Sequence, residues 1–408
     1  MRYPLSVKSK SVETSGIPRD YKEAICEYIW NGFEANATTI SITHTTNVLG
    51  GIEEICISDN GSGICFETVQ DTFGAFLASQ KNALSLKIKS KANQGKGRFA
   101  GFSFANRIKW DTVCAENGKN VQYSISVYSE NKNEYEVTEK ALTERSTGTT
   151  VIIGNVDQIL PEQVTILALE DTLLKEFAWY LYLNKERNVE ILVNGERVDY
   201  AKYIDTRFSA KKDLLIDGIG LKIDVVVWKE KIREKFCIYF MNLEGVLKGR
   251  DTTSFNRNTV NFNHSVFVRS LCFDRDSDTS LTTDDSSNEQ IAFDDQPSNR
   301  TFLRKVKKEI QEAIDDALTA FLSAQATKAV QDMMDRESFP TFSDDIPGQL
   351  QKKDLMTVTQ ELYKLDARIF YKLKPIQEKS LLGFINLLLQ SEERENMLDI
   401  IESIVSLT

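Results

Sequence analysis

Glu27, Asn31 and Glu34 recur at helical spacing, and each has a side chain that can take part in chemistry. On a helix covering roughly residues 20 to 37, about 100° per residue gathers the three within an arc of about 60°, with Ile25, Ile29 and Phe33 on the opposite side. One face packs, and the other offers a carboxylate suited to general-base work, an amide oxygen suited to a hard cation, and a second carboxylate. Glu27 lies one turn before Asn31, so it can orient water without competing with the amide for the ion. The bland alternative is a solvated helix face.

Asp59-Asn60-Gly61-Ser62-Gly63 follows the strand-like run Ile55-Cys56-Ile57-Ser58. Its glycines permit a sharp turn and a backbone approach to a flat ring. A strand-end carboxylate can accept a hydrogen bond from the exocyclic amine of adenine. Guanine would set a carbonyl against the same acceptor and be rejected. Asp-Asn-Gly is also an everyday turn. Next, residues 81 to 98 carry Lys81, Lys87, Lys89, Lys91, Lys96 and Arg98 with no acidic residue, and lead into Gly95-Lys96-Gly97-Arg98-Phe99-Ala100-Gly101. A loop folding over a triphosphate would use such cations and glycine amides, whereas a solvated basic loop or a nucleic-acid contact would use the cations alone. Gly148-Thr149 opens the apolar strand Val151-Ile152-Ile153, from which the Thr149 hydroxyl could hold Asp59. A water-orienting base, a divalent ion and backbone donors are what ATP hydrolysis requires.

The bulk composition fits such a chain. With 408 residues, 41% hydrophobic and 27% charged, it is globular and long enough for two or three cores. A net charge of −10 disfavours a broad nucleic-acid footprint. The six cysteines form no C-x-x-C pair and mostly sit in apolar runs, and His44 and His264 are the only histidines, so free thiols in a reducing compartment are expected and a cysteine-based metal site is not. No signal-like start or stretch of about 18 apolar residues is present, which points to a cytoplasmic protein without membrane partners.

The elements that must position these residues read as an α/β sandwich over 1–155: a helix, strands at 39–43 and 53–59, a helix after Gly101, and strands including 121–128 and 149–153. A smaller α/β domain over 156–273 has a helix near 170–183, an Asn194-Gly195 hairpin turn, and strands at 221–228 and 236–241. Residues 274–299 are Asp-, Ser- and Thr-rich and read as a flexible linker. Residues 300–408 read as helices, the first ending near Arg336 and a break falling at Pro375. Met397 to Leu407 is still amphipathic where the sequence stops, so a longer native chain is one expectation.

In this order and spacing, Glu27-x-x-x-Asn31-x-x-Glu34, the Asp59 turn, the 95–101 glycine run and Gly148-Thr149 resemble the GHKL superfamily of gyrase, heat-shock chaperone, histidine kinase and MutL-type ATPases. The resemblance implies a Bergerat-type ATP-binding domain followed by a transducer-like domain, with ATP and Mg2+ as cofactors and a homodimer on ATP binding. It implies Glu27 as general base, Asn31 as magnesium ligand, Glu34 as a supporting polar residue, Asp59 as adenine reader, and Gly61 and Gly63 lining its turn. Gly95, Lys96, Gly97, Arg98, Phe99, Ala100 and Gly101 would form the lid hinge and phosphate binder, and Thr149 would partner Asp59. Lys248, or Arg250 beside it, would be the second-domain cation reaching the γ-phosphate. Glu34 stands where many relatives have aspartate, and the glycine pattern looks closer to Microrchidia-like or stand-alone bacterial members, some of which are linked to phage defence or DNA transactions. No phosphoacceptor histidine precedes Glu27, which sets the kinases aside. The expected function is an ATP-driven conformational switch acting on the C-terminal helices or an unknown client. The alternatives are a nucleotide-gated module with negligible turnover and a DNA-associated ATPase.

Overall fold

Runs that alternate β-branched or aromatic residues with polar ones become strands, and longer apolar stripes become helices. The computed structural model describes residues 2–4, 20–70, 97–132, 134–257, 261–273, 297–365, 367–370 and 373–391. It divides into two compact units, residues 1–206 with 211–303, and residues 207–210 with 304–408. The linker expected at 274–299 lies outside the described residues up to 296, as do most of the basic stretch and the 397–407 segment.

Ten strands make the first sheet: β1 (Arg2–Pro4), β2 (Thr39–Thr46), β3 (Ile52–Asp59), β4 (Ala105–Glu116), β5 (Lys119–Tyr128), β6 (Glu134–Val137), β7 (Ala141–Leu142), β8 (Gly148–Val156), β9 (Glu190–Val193) and β10 (Glu196–Arg197). Their order is β1-β6-β5-β4-β8-β3-β2-β9-β10, with β7 beside β5. Pairing is antiparallel except for β2 with β9. The β9–β10 turn is Asn194-Gly195, both at positive φ as a two-residue hairpin demands. The helix expected after Gly101 is instead a short 3-10 turn, Gly97–Ser103, followed by β4. Burial of Ile108, Trp110, Thr112 and Cys114 at every second position shows which period prevailed.

The register sets one row across five strands: Ile40 faces Asp59, Asp59 faces Thr149, Thr149 faces Thr112, and Thr112 faces Tyr123. Helices α1 (Tyr21–Glu34) and α2 (Ile166–Leu183) pack together through Trp30 and Phe33 against Phe177 and Tyr180, with ring centroids 4.7 to 5.7 Å apart. Burying each such ring contributes roughly 1.5–3 kcal/mol. Beyond α2, strands β11 (Ala210–Ile216), β12 (Ile219–Val227), β13 (Cys237–Met241), β14 (Leu247–Thr252) and β15 (His264–Ser270) form a second sheet in the order β11-β12-β15-β13-β14. It shares the first sheet's core, since Tyr239 stacks on both Trp179 and Phe267 at 5.2 Å.

The second unit is helical, as its periodicity implies: α3 (Pro297–Asp335), α4 (Ile346–Leu365) and α5 (Pro375–Leu389). Met333, Leu355, Leu362, Leu382 and Ile385 belong to its core. A buried Glu378 there accepts hydrogen bonds from Arg336 at 3.1 Å and Ser338 at 2.7 Å.

Candidate functional site

Asp20 caps α1 by accepting the Lys22 amide, and the helix then sinks into the core. From Ala24 to Phe33 every residue is buried except Glu27 and Asn31, and Glu34 follows them partly exposed. A solvated face would be broad and wet; here only two polar side chains emerge between Ala24 and Phe33. The Asn31 side-chain amide makes no hydrogen bond among the described residues.

The Asp59 turn is built against the end of this helix. A Cβ on Gly32 would lie 3.0 Å from the Asp59 Cβ, and one on Gly61 would lie 2.7 Å from the Ala35 carbonyl. Ser62 donates its amide to that same carbonyl at 2.9 Å. Asn60 Oδ1 accepts the amides of Thr38 and Thr39 at 2.8 and 2.9 Å, fastening the turn to the α1–β2 connection. Gly63 has φ +73° and a Cβ there would collide with the Val113 carbonyl. These glycines are thus required by the protein's own packing, a reason additional to the ring approach expected from sequence.

Asp59 Oδ1 accepts the Gly61 amide at 2.8 Å and the Thr149 amide at 3.3 Å. The contact with Thr149 therefore runs through its backbone and not its hydroxyl, which pairs with Thr112 Oγ1 at 3.0 Å. Asp59 Oδ2 takes no hydrogen bond among the described residues. Burial pushes the Asp59 carboxyl above the usual carboxylate range, only partly offset by the Gly61 and Thr149 amides. Thr112, 1% exposed, also accepts the Ile64 amide at 2.9 Å, and Tyr123 donates its hydroxyl to the Ile64 carbonyl at 2.8 Å.

In the 3-10 turn, Phe99 and Ala100 point into the core, and the Gly101 amide donates to the buried Tyr28 hydroxyl at 3.0 Å. Gly95 and Lys96 lie outside the described residues, as do the side-chain surroundings of Arg98, while Gly97 opens the turn. Lys248 and Arg250 lie two apart on β14, at an edge of the second sheet, and Arg250 faces Tyr239. The Arg250 charge is felt by Glu234, which also feels Glu176. Buried Glu176 accepts the Trp30 indole N–H at 2.9 Å and meets Arg233 at 3.6 Å, tying β14's neighbourhood to α1.

Thr112, Tyr28, Asn60 and Glu176 thus support the site without having been read from the sequence. Thr112 was legible only through the alternation along β4. A cavity of about 430 Å³ near Asp20, Phe104 and Asp157 lies at the far end of β4 and β8 from Asp59 and holds none of the predicted site residues. No group of His, Cys, Asp and Glu suited to a metal occurs among the described residues, which leaves open an ion held by an amide oxygen and phosphates.

Residues 20–162 match the family described as histidine kinase-, DNA gyrase B-, and HSP90-like ATPase, and this segment of the chain is a GHKL-superfamily domain. No curated protein matches the chain. Among solved structures, the Aquifex aeolicus MutL ATPase domain complexed with ADP is 14% identical and aligns over 62% of this chain and 92% of that one, with a TM-score of 0.31. No helix among the described residues is long and apolar enough to cross a membrane.

Proposed function

We propose that the crevice between α1 and the Asp59 turn binds ATP and hydrolyses it. The observation that carries this reading is the pairing of a helix whose stretch from Ala24 to Phe33 opens only at Glu27 and Asn31 with a carboxylate whose Oδ1 is held by two amides while Oδ2 takes no hydrogen bond among the described residues. Asp59 Oδ2 accepts the adenine amine, and the Gly61–Gly63 turn keeps the carboxylate aimed. Glu27 orients the attacking water and takes its proton. Glu34 supports the polar side of the helix, and the backbone of the 95–101 segment donates to phosphate oxygens. The Asn31 amide oxygen would hold magnesium, which would supply neutralisation of the phosphate charge. Lys248, with Arg250 beside it, is the second-sheet cation offered to the γ-phosphate.

Lid closure over ATP, pairing of two copies and transmission to the C-terminal helices complete the proposed cycle. Phosphate release by purified protein tests it. Glu27→Ala should lower turnover by roughly 10²- to 10⁴-fold while nucleotide affinity stays within a factor of about three. ATP-dependent dimerisation without any phosphate release would instead make the chain a nucleotide-gated module.

A further inference from the structure

Two thiols lie beside the adenine turn. Thr112, Cys114 and Glu116 alternate along β4 and so share one face. The segment following the turn runs along that face: Ile64 donates its amide to Thr112 Oγ1 at 2.9 Å, and Phe66 donates its amide to Glu116 Oε1 at 3.0 Å. Those two bonds bracket Cys65 and set it abreast of Cys114. Both sulfurs donate to Glu116 Oε1, each at 3.8 Å, so they lie no farther apart than twice that distance. Lys140 closes the far side, 2.7 Å from Glu116 Oε2 and over the Phe66 ring at 5.0 Å. All six cysteines are free, Cys114 is 3% exposed, and Cys65 is partly open to solvent.

We propose that Cys65 and Cys114 are a peroxide-responsive dithiol whose disulfide staples the segment after the adenine turn to β4. Cys65, the accessible thiol, attacks a hydroperoxide oxygen; the O–O bond breaks, Cys65 becomes a sulfenic acid and one water (or alcohol) leaves. Cys114 sulfur then attacks the sulfenic sulfur; the S–S bond forms as the S–O bond breaks, and the Cys114 proton passes by way of Glu116 Oε1, 3.8 Å away, to the departing hydroxide, which leaves as water. Two electrons pass from the thiols to the peroxide. Burial keeps Cys114 from peroxide in solvent and holds its thiol above the ordinary range, so the first attack falls to the more accessible Cys65. Closing the bond brings the sulfurs to about 2.05 Å and draws residues 64–66 onto β4. Its bearing on nucleotide binding rests on the ATP reading above; the linkage itself does not.

The full reduced chain is treated with hydrogen peroxide, alkylated and digested. The expected result is a peptide pair joined through Cys65 and Cys114, reversible by dithiothreitol, with amide exchange across residues 60–70 slowed in the oxidised protein. Cys65→Ser should leave Cys114 alkylatable, and Cys114→Ala should trap a dimedone-reactive sulfenic acid at Cys65. Oxidation of Cys65 to sulfinic acid with Cys114 still alkylatable, a bridge to any other cysteine, or a bridge without slower exchange would overturn the proposal. None of these readouts requires ATP, so a chain that binds no nucleotide would refute the ATP reading alone.

Discussion

Asp59→Asn separates the fold's interest from that of the site. In the native chain Asp59 Oδ1 accepts two backbone amides, from Gly61 and Thr149, and an asparagine Oδ1 can accept both. The cost of burying a charge disappears with the substitution, because burial is what raises this carboxyl. A group whose folded pKa is raised contributes most below its unfolded value, near 3.8, and loses that contribution as pH rises through the folded value. Measured by urea unfolding, the Asn variant should therefore gain on the native protein between pH 4 and pH 7, and at neutral pH be at least as stable. Nucleotide binding should move the other way. With Oδ1 held by two N–H groups, the asparagine NH2 takes the Oδ2 position and faces the adenine amine, donor against donor. Losing a charge-assisted hydrogen bond costs roughly 1.5–3 kcal/mol, or about ten- to a hundredfold in Kd by calorimetric titration. Unchanged affinity for ATP, or a variant markedly less stable at pH 7, would refute the reasoning.

Other positions give equally direct outcomes. Gly63→Ala places a Cβ against the Val113 carbonyl at φ +73°, so a loss of more than about 2 kcal/mol in urea unfolding is expected, together with loss of ATP binding. Thr112→Val keeps the shape but removes the oxygen that accepts the Ile64 amide and meets Thr149; a drop of about 1–3 kcal/mol should accompany weaker ATP binding, and a neutral result would show that the row across the sheet does not depend on this hydroxyl. His264 is fully buried among Phe236, Phe255 and Phe262, its Nε2 without a hydrogen-bond partner among the described residues, and burial pulls its pKa from 6.5 to about 4. Its neutral form favours the fold above pH 6.5, an advantage lost as pH falls towards 4, so the native protein should lose about 2 kcal/mol between pH 7.5 and 5 through this group. His264→Phe should abolish that share of acid lability, and an identical pH profile in both proteins would exclude the assignment.

Much of this site was legible because its chemistry depends on local spacing. The Glu27, Asn31 and Glu34 face needed only a helical period, and its opposite side is indeed the packed one. The turn after Asp59 announced itself through two glycines. What escaped were the contacts between segments distant in sequence. Thr112 follows Gly101, after which a helix was expected, whereas tertiary pairing with β5 and β8 selected the two-residue period. Tyr28 holding Gly101, and Glu176 holding Trp30 across 146 residues, depend on packing that no local pattern encodes. The same holds for Thr149, correctly singled out as a neighbour of Asp59 but contributing its amide, since the strand register and not the side-chain type decides which group faces the carboxylate.

The proposed site requires one nucleotide to span the distance from Asp59 to Glu27 along α1. A crystal structure of the chain with magnesium and a non-hydrolysable ATP analogue tests it most directly. It should show the adenine amine on Asp59 Oδ2, the ion on the Asn31 amide oxygen, and the terminal phosphate within one water of Glu27. Nucleotide seated elsewhere, or the space beside Asp59 closed by side chains at saturating analogue, would contradict the account.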